Sequence, residues 1–209
     1  MVTDKTEKFW DSLASGFDRN SKYFPPPSIE KTKKHLHKSH RVLDFGCATG
    51  NEAIEISWMV KEVVGIDISS KMIAFAKSKA EKLELKNVHF EQSTLFEKSH
   101  KPTSYDVILM FNILHLFSDT KAVLQRAYEL LKPEGLIIIV TACAGEKKFI
   151  NFLQSIILVP LIKIGKVPYM QFFKPHDLNN LLADTGFKIV EFEKLNKSSN
   201  YFIVAQKEK

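Results

Sequence analysis

The sequence Arg41-Val-Leu-Asp-Phe-Gly-Cys-Ala-Thr-Gly50 is a short apolar run that ends in an acid and then breaks into small residues. This pattern predicts a buried strand that feeds a tight turn, with a helix beginning at Asn51. Glycines at such a turn let the backbone approach a ligand closely, and the first turn of a helix has unpaired N–H groups. The turn is therefore predicted to hold a polar ligand.

A second apolar run, Val63-Val-Gly-Ile-Asp67, also ends in a carboxylate, and Ser69 and Ser70 follow it as candidate helix caps. An acid at the carboxyl end of a neighbouring strand can accept hydrogen bonds from both hydroxyls of a ribose. The alternative is that Asp67 only caps a turn, but its spacing from Asp44 favours ribose. Two strand-end acids on either side of a small-residue turn predict a nucleoside pocket.

These motifs resemble those of the class I S-adenosylmethionine-dependent methyltransferases. The first motif of that family, an acid followed by alternating glycines, matches Asp44, Gly46 and Gly50. Ala48 stands where the middle glycine is usual, and Asp67 matches the acid that ends the second strand. Within this superfamily the chain is most similar to the type 11 family, which is related to quinone-biosynthesis methyltransferases, and the resemblance covers nearly the whole chain.

Apolar strands alternate with amphipathic helices up to residue 141, which predicts an α/β, doubly wound, mainly parallel sheet. The resemblance implies the seven-stranded, Rossmann-like methyltransferase fold, which ends in an antiparallel C-terminal hairpin. The predicted strands are residues 42–45, 62–66, 88–91, 105–111, 136–141, 187–194 and 200–206. The predicted helices are residues 4–18, 28–38, 51–58, 70–83, 119–131 and 175–185, and three prolines predict an extended segment at 25–27.

The length of the chain, 209 residues, predicts a single domain, residues 1–209. Residues 1–27 are predicted to form an N-terminal helical segment. In type 11 enzymes a Trp-Asp…Tyr-Asp segment folds over the pocket, and Trp10-Asp11 with Phe17-Asp18 resembles it. This segment is thus predicted either to act as a lid or only to pack its aromatic side chains onto the domain.

The resemblance implies S-adenosyl-L-methionine as cofactor, S-adenosyl-L-homocysteine as product, and roles for particular residues. The implied contacts are Asp44 and the backbone of Gly46, Cys47 and Ala48 at the methionine end, Asp67 at the ribose, Ile68, Met72, Thr94 and Leu95 around the adenine, and Phe111 and Asn112 near the methionine amine. Thr94 stands where relatives usually carry an acid for the adenine amino group, which a hydroxyl can still hydrogen-bond. For Met72 a place in the core is an equal alternative.

The sulfonium of the cofactor makes its methyl group electrophilic, so the enzyme mainly has to hold a nucleophile in line with the carbon–sulfur bond. A conspicuous catalytic triad is not expected, and direct SN2 transfer is predicted. His115, just after the fourth predicted strand, could deprotonate an acceptor near neutral pH. A lone histidine in an apolar segment is more often structural, and that alternative stays open.

Residues 146–172 interrupt the alternation and are predicted to form an inserted helical cap, broken near Pro160. The apolar and basic side chains of residues 147–170 could cap an apolar pocket or contact a membrane surface peripherally. A helix that completes the core or a dimer contact is the alternative. These features predict a small lipophilic or aromatic acceptor.

The composition, 44% hydrophobic and 26% charged, is that of a globular protein. Two cysteines are too few for a disulfide framework or a zinc site, and the charged N-terminus lacks the apolar core of a secretory signal, so a cytoplasmic protein without a metal is expected. The net charge of +6 is attributed to solvated lysine side chains on the surface of the helix predicted at 28–38. The alternative functions are an RNA methyltransferase that uses this basic surface and a non-catalytic cofactor-binding regulatory module, the latter suggested by Ala48 and Thr94.

Overall fold

The computed structural model describes residues 4–18, 27–143, 162, 167–195 and 200–208. Its helices are α1 (Asp4–Phe17), α2 (Pro27–Lys33), α3 (Asn51–Ile56), α4 (Ser70–Lys82), α5 (Thr120–Leu130) and α6 (Pro175–Asp184). Its strands are β1 (Arg41–Phe45), β2 (Glu62–Asp67), β3 (Val88–Gln92), β4 (Tyr105–Phe111), β5 (Leu131–Ala142), β6 (Phe187–Lys194) and β7 (Asn200–Lys207). Short 3₁₀ turns occupy Ser57–Met59 and Leu114–Leu116.

The seven strands form one sheet in the order β3-β2-β1-β4-β5-β7-β6. The first five are parallel, and β7 is antiparallel to both β5 and β6, as predicted. After β1 the chain builds outwards through β2 and β3 and then returns to the other side of β1 with β4. In open α/β sheets this reversal point is where ligands bind, beyond the carboxyl ends of the strands.

Both faces of the sheet are covered, and side chains alternate between them along each strand. Leu43 and Phe45 of β1 belong to the core cluster that includes α5 and α6. Val42 belongs to the opposite cluster, which includes residues of α2, α3 and α4. Asp44 therefore lies on the α3 side of the sheet. Its carboxyl group is buried because helices cover that face.

The helix predicted at residues 28–38 is wrong at both ends, because α2 begins at Pro27 and ends at Lys33. Proline suits the first position of a helix, since its missing N–H would have no partner there. After Lys33 the backbone N–H groups of Lys34, His35 and Leu36 bond to carbonyls three residues back, so the chain tightens and turns towards β1. Of the extended segment predicted at 25–27, Pro27 is helical and the other two prolines lie outside the described residues.

The remaining differences are at element ends. The helix predicted at 51–58 divides into α3 and a 3₁₀ turn. The helix predicted at 119–131 ends one residue earlier, because Leu131 is extended and pairs with Tyr105. The strand β5 thus begins before its predicted start at 136 and its register shifts around Glu134, which has a left-handed φ of 63°.

The predicted cap at 146–172 lies mostly outside the described residues, as does the turn at 196–199. The last part of the predicted cap, residues 167–172, is described and contains neither helix nor strand. Gln171 in this part bonds to the turn after β4: its N–H donates to the His115 carbonyl at 2.9 Å, and its side-chain amide donates to the Phe117 carbonyl at 2.6 Å. None of the helices that the structure describes combines the length and apolar character that a membrane-spanning helix needs.

Candidate functional site

The loop between β1 and α3 is a tight turn held against β2. The N–H groups of Gly46 and Cys47 both donate to the Ile66 carbonyl, at 2.8 and 3.0 Å, and Gly50 N–H donates to the Cys47 carbonyl at 2.8 Å. Gly46, Ala48 and Gly50 have left-handed φ angles of 76°, 47° and 78°. Alanine tolerates this conformation less well than glycine, so Ala48 carries a strain that the usual middle glycine would avoid.

Gly46 is expected to tolerate a side chain poorly. A Cβ there would lie 2.8 Å from Cγ1 of Ile113, in addition to the cost of its left-handed φ. Gly46→Ala should lower the free energy of unfolding by about 2–4 kcal/mol, from backbone strain and overpacking together. Thermal or denaturant unfolding measures this.

Gly16→Ala is the matched control, because a Cβ at Gly16 has nothing within 4 Å. It should leave stability unchanged or raise it slightly, since alanine favours a helix. Adding Ile113→Ala to Gly46→Ala should recover the overpacking part of the loss but not the backbone part. Equal stability of the Gly46 and Gly16 variants would contradict this account of the loop.

Three carboxyl groups surround the loop. Asp44 is 2% exposed, and its Oδ2 atom has no hydrogen-bond partner among the described residues. Burial, and then the nearby Glu52 and Asp67, raise the pKa of Asp44 well above its ordinary value. Burial also raises the pKa of Glu52 and of Asp67. Such a group of acids favours a cationic ligand and would repel the pyrophosphate of a dinucleotide.

Asp67 connects the second strand to the loop. Its Oδ2 accepts from Ala48 N–H at 3.0 Å, and its Oδ1 accepts from Ser69 N–H at 2.8 Å. The turn-capping role that the sequence left open is therefore present. Each carboxylate oxygen has a further lone pair, so the same group can still accept hydrogen bonds from two ribose hydroxyls.

The N–H groups of the loop backbone are engaged within the protein, and contact of this backbone with the cofactor stays a prediction. The N–H groups of Gly46, Cys47 and Ala48 all have partners within the protein, so none of them is free to donate to a ligand. Cys47 is buried, and burial raises the pKa of its thiol well above the ordinary value. What this part of the loop offers a ligand is shape and negative charge.

The other predicted cofactor residues differ in exposure. Ile68, Thr94 and Phe111 are half-buried and lie at or just beyond the carboxyl ends of β2, β3 and β4. Asn112 is exposed, has a left-handed φ of 52°, and donates its N–H to the Val140 carbonyl at 2.7 Å. These residues surround the carboxyl edge on which Asp44 and Asp67 lie.

Met72 and Leu95 are both fully buried, so neither presents a surface to a ligand in this structure. Leu95 belongs to the core cluster on the α5 side, whereas Met72 belongs to neither core cluster. Their contacts with adenine stay predictions.

Acidic residues of α1 bond to the carboxyl edge, which the sequence indicated only through Trp10-Asp11 and Phe17-Asp18. Asp11 accepts from the Ser69 hydroxyl at 2.6 Å and from Lys71 N–H at 3.1 Å, at the start of α4. Glu7 accepts from the Gln92 amide at 2.8 Å, at the end of β3.

Asp18, which follows α1, bonds to the glycine loop. It accepts from the Thr49 hydroxyl at 2.6 Å and from the Asn51 amide at 3.0 Å, and pairs with Lys79 of α4 at 3.0 Å. The N-terminal segment is thus attached to the structure around the loop by polar bonds as well as by packing. Its opening and closing as a lid stays a prediction.

His115 lies in the 3₁₀ turn after β4. It is half-buried, its Nδ1 atom is buried without a hydrogen-bond partner in the described residues, and burial lowers its pKa. Thr141, near the carboxyl end of β5, is also fully buried with an unpartnered hydroxyl. Thr141 was not predicted as a site residue, although a hydroxyl at the end of an otherwise apolar strand is a weak signal of a site.

Three buried side-chain polar atoms lack partners within the described ranges, and they belong to Asp44, His115 and Thr141. They lie at or just after the carboxyl ends of β1, β4 and β5, which are consecutive in the sheet. Buried polar atoms are usually hydrogen-bonded, so this grouping points to ligands along that edge.

A family model described as a methyltransferase domain matches residues 36–186. The chain belongs to the methyltransferase domain family. The resemblance based on Asp44, Gly46, Gly50 and Asp67 is confirmed at this level. The site fits S-adenosylmethionine, the cofactor that the resemblance implies, because a cationic molecule suits the three carboxyl groups and the unpartnered Asp44 oxygen.

Similarity to individual proteins is moderate. The uncharacterized methyltransferase YcgJ of Bacillus subtilis is 31% identical over 121 residues, which are 56% of this chain and 48% of that protein. The ubiquinone biosynthesis O-methyltransferase of Rickettsia canadensis is 30% identical over 175 residues, 80% of this chain and 71% of that protein. The chain therefore spans about half the length of the first relative and a larger share of the second.

The fold is shared with solved structures. A SAM-dependent methyltransferase from Aquifex aeolicus superposes with a TM-score of 0.73 at 21% identity, covering 94% of this chain and 97% of that one. At this identity the likeness concerns the fold alone. In the present chain, the strand order of the sheet and the antiparallel β7 agree with the predicted fold class.

Proposed function

We propose that this enzyme transfers the methyl group of S-adenosylmethionine directly to a hydroxyl of a small lipophilic or aromatic acceptor, with His115 as general base. The observation that carries the proposal is the buried, unpartnered Nδ1 atom of His115 in apolar surroundings at the carboxyl edge of the sheet. Burial lowers the pKa of His115, so its imidazole is neutral at neutral pH and can accept a proton.

The surroundings of His115 suit an apolar acceptor. Its neighbour Leu114 is fully buried, and Phe117 packs against Phe45 with ring centroids 5.6 Å apart. Phe173 belongs to the same core cluster. Pockets of this kind are lined by apolar and aromatic groups and orient their ligands through few polar atoms. The similarity to ubiquinone biosynthesis O-methyltransferases supports the same acceptor class.

Cofactor binding is proposed to use the acids of the loop. Asp67 would accept the ribose hydroxyls, and Asp44 would face the methionine ammonium group. When bound, the cofactor supplies an electrophilic methyl group. The protein's part is to hold the acceptor hydroxyl in line with it, through His115 and the unpartnered Thr141 hydroxyl, and to remove the hydroxyl proton to a nitrogen of His115.

An acceptor screen tests this function. The enzyme would be incubated with methyl-labelled cofactor and phenols that carry alkyl chains of increasing length, and with RNA transcripts as the competing class. We expect methylated phenols by mass spectrometry, with kcat/KM rising with chain length. Label found only in RNA, or in the purified protein alone, would overturn the proposal.

His115→Ala should reduce kcat by about 100-fold or more, the usual contribution of a general base. The Kd for cofactor should stay unchanged, because His115 is not among the residues proposed to bind it. In the wild type, kcat/KM should rise with pH and level off above the pKa of His115, which burial places below 6.5. Steady-state kinetics and calorimetry measure both quantities.

His37→Ala is the matched control, because His37 is exposed and lies just before β1, at the amino edge of the sheet. It should retain full activity and the wild-type pH profile. Unchanged turnover in a folded His115→Ala variant that binds cofactor would rule out the proposed base.

A further inference from the structure

Three polar side chains, two of them buried, form a hydrogen-bonded chain beside the segment that follows β3. The Ser93 hydroxyl and Nε2 of His100 are 3.2 Å apart, and Nδ1 of His100 and the Tyr105 hydroxyl are also 3.2 Å apart. His100 is 4% exposed, and Tyr105 is also buried. Both ring nitrogens of a buried histidine are therefore engaged, by two hydroxyls from different parts of the chain.

One arrangement of protons satisfies all these contacts. The Tyr105 hydroxyl donates to Nδ1, the Nε2–H of His100 donates to the Ser93 oxygen, and the Ser93 hydroxyl points towards the Thr94 carbonyl, 3.4 Å away. Burial raises the pKa of Tyr105, so its hydroxyl keeps the proton that it donates. The chain of donors thus runs in one direction, towards Thr94.

The segment after β3 is also held by hydrogen bonds to α5 and to β2. Arg126 of α5 donates from Nε to the Leu95 carbonyl at 3.2 Å and from Nη2 to the His100 carbonyl at 2.7 Å. Ser93 N–H donates to the Asp67 carbonyl at 3.0 Å. Ser93 is therefore held by its backbone to Asp67 and by its side chain to His100.

We propose that His100 is a positioning residue for the cofactor base, acting through Ser93 on Thr94. The inference rests on the proposed cofactor site, in which this segment borders the adenine. Thr94 offers a hydroxyl, and not a carboxylate, to the adenine amino group. A hydroxyl has no net charge to attract the amine over a distance, and a neutral hydrogen bond weakens steeply with poor geometry. The position of Thr94 therefore has to be set by its surroundings.

A purely structural role would be served as well by an apolar side chain of similar size, without the cost of burying an imidazole. A fully satisfied polar network instead selects one orientation of the groups that it joins. The orientation selected here is that of Ser93, directly before Thr94.

The protonation state of His100 agrees with this role. Burial is the largest influence and lowers its pKa. Arg126 and Arg41 act in the same direction as burial, and Glu91 and Glu97 oppose it. At neutral pH the imidazole is therefore neutral and can accept from Tyr105 while it donates to Ser93.

The test compares binding of S-adenosylhomocysteine with that of its inosine analogue, which lacks the adenine amino group. Calorimetry on the wild type should show about tenfold tighter binding of the adenosine compound, the usual size of one hydrogen bond to a ligand. His100→Phe should weaken binding of the adenosine compound by about tenfold and leave the inosine analogue nearly unaffected. The selectivity should therefore disappear.

Ser93→Ala and Tyr105→Phe are milder variants that interrupt the same chain, and they replace His100→Phe if that variant does not fold. Leu182→Ala is the control for general destabilisation, because Leu182 is fully buried in α6 on another part of the sheet. It should lower stability and keep the selectivity.

Several results would overturn the proposal: a wild type that binds both compounds equally, folded His100 and Ser93 variants with wild-type selectivity, or the same loss of selectivity in Leu182→Ala. A separate binding measurement, on Asp67→Ala, shows whether the proposed cofactor site itself is wrong. If Asp67→Ala binds both compounds as tightly as the wild type, the ribose contact is wrong and the positioning role falls with it.

Discussion

Asp67→Ala should weaken the binding of S-adenosylmethionine by about 100-fold or more. Two hydrogen bonds from ribose hydroxyls to a carboxylate are each worth about 1.5–3 kcal/mol, and 1.4 kcal/mol corresponds to a tenfold change in Kd. The loss should be larger than ribose alone implies, because Asp67 also holds Ala48 N–H and Ser69 N–H. Without the carboxylate, the loop and the start of α4 lose their common acceptor. Isothermal titration calorimetry with the purified protein measures the change.

The control for this variant is Asp119→Ala. Asp119 is also a capping acid, since its side chain accepts from Ala122 N–H at 2.9 Å at the start of α5. Its removal should lower stability by about 1 kcal/mol, the usual value of such a cap, without changing cofactor affinity. If the two variants lost stability equally and both kept full affinity, Asp67 would be a cap and not a ligand.

Asp44→Asn should change stability and affinity in opposite directions. Because burial raises the pKa of Asp44, its contribution to stability is fully present below the unfolded pKa near 3.8 and is lost as the pH rises through the folded pKa. At neutral pH the cofactor-free wild type therefore carries the energetic cost of a buried carboxyl group, ionised or protonated. Asparagine removes it and should raise the free energy of unfolding by about 1 kcal/mol or more, or Tm by about 2–4 °C. The advantage should shrink as the pH approaches 4.

The same substitution should weaken cofactor binding by at least about tenfold, because a cationic ligand loses a buried counter-charge. Saturating cofactor should consequently stabilise the wild type more than the variant, since ligand stabilisation depends on concentration relative to Kd. Thermal unfolding with and without cofactor, between acidic and neutral pH, measures both effects. A variant that is less stable than the wild type without cofactor would contradict the prediction.

Asp106→Asn is the matched control. Its effect on the free energy of unfolding at neutral pH should be opposite in sign to that of Asp44→Asn. Burial acts to raise the pKa of Asp106, but the Arg41 N–H and Lys132 outweigh it, and the pKa is lowered overall. Its stabilising effect is therefore present above the unfolded pKa and lost as the pH falls through the folded pKa. Asp106→Asn should destabilise the protein at neutral pH and leave cofactor affinity unchanged, because Asp106 lies at the amino end of β4.

The local pattern of the sequence was sufficient for the fold. The apolar runs that end at Asp44 and Asp67 predicted β1 and β2 and the turn after β1, because strand periodicity and glycine conformation are properties of neighbouring residues. The helix predicted at 28–38 failed for the opposite reason. Its length is set by where the chain must turn to enter β1, which no nearby residue specifies.

The candidate site also combines features that the sequence predicted with features that only the folded structure shows. Residue types and spacing alone indicated that two acids border a small-residue turn and that the chain resembles methyltransferases that use S-adenosylmethionine. They did not indicate that Asp18 bonds to Thr49 or that His100 joins Ser93 to Tyr105. Nor did they indicate that Asp44, His115 and Thr141 share one edge with unpartnered buried atoms. These relations depend on the order of the strands, because only the folded sheet brings distant carboxyl ends together and excludes the water that would otherwise solvate their polar groups.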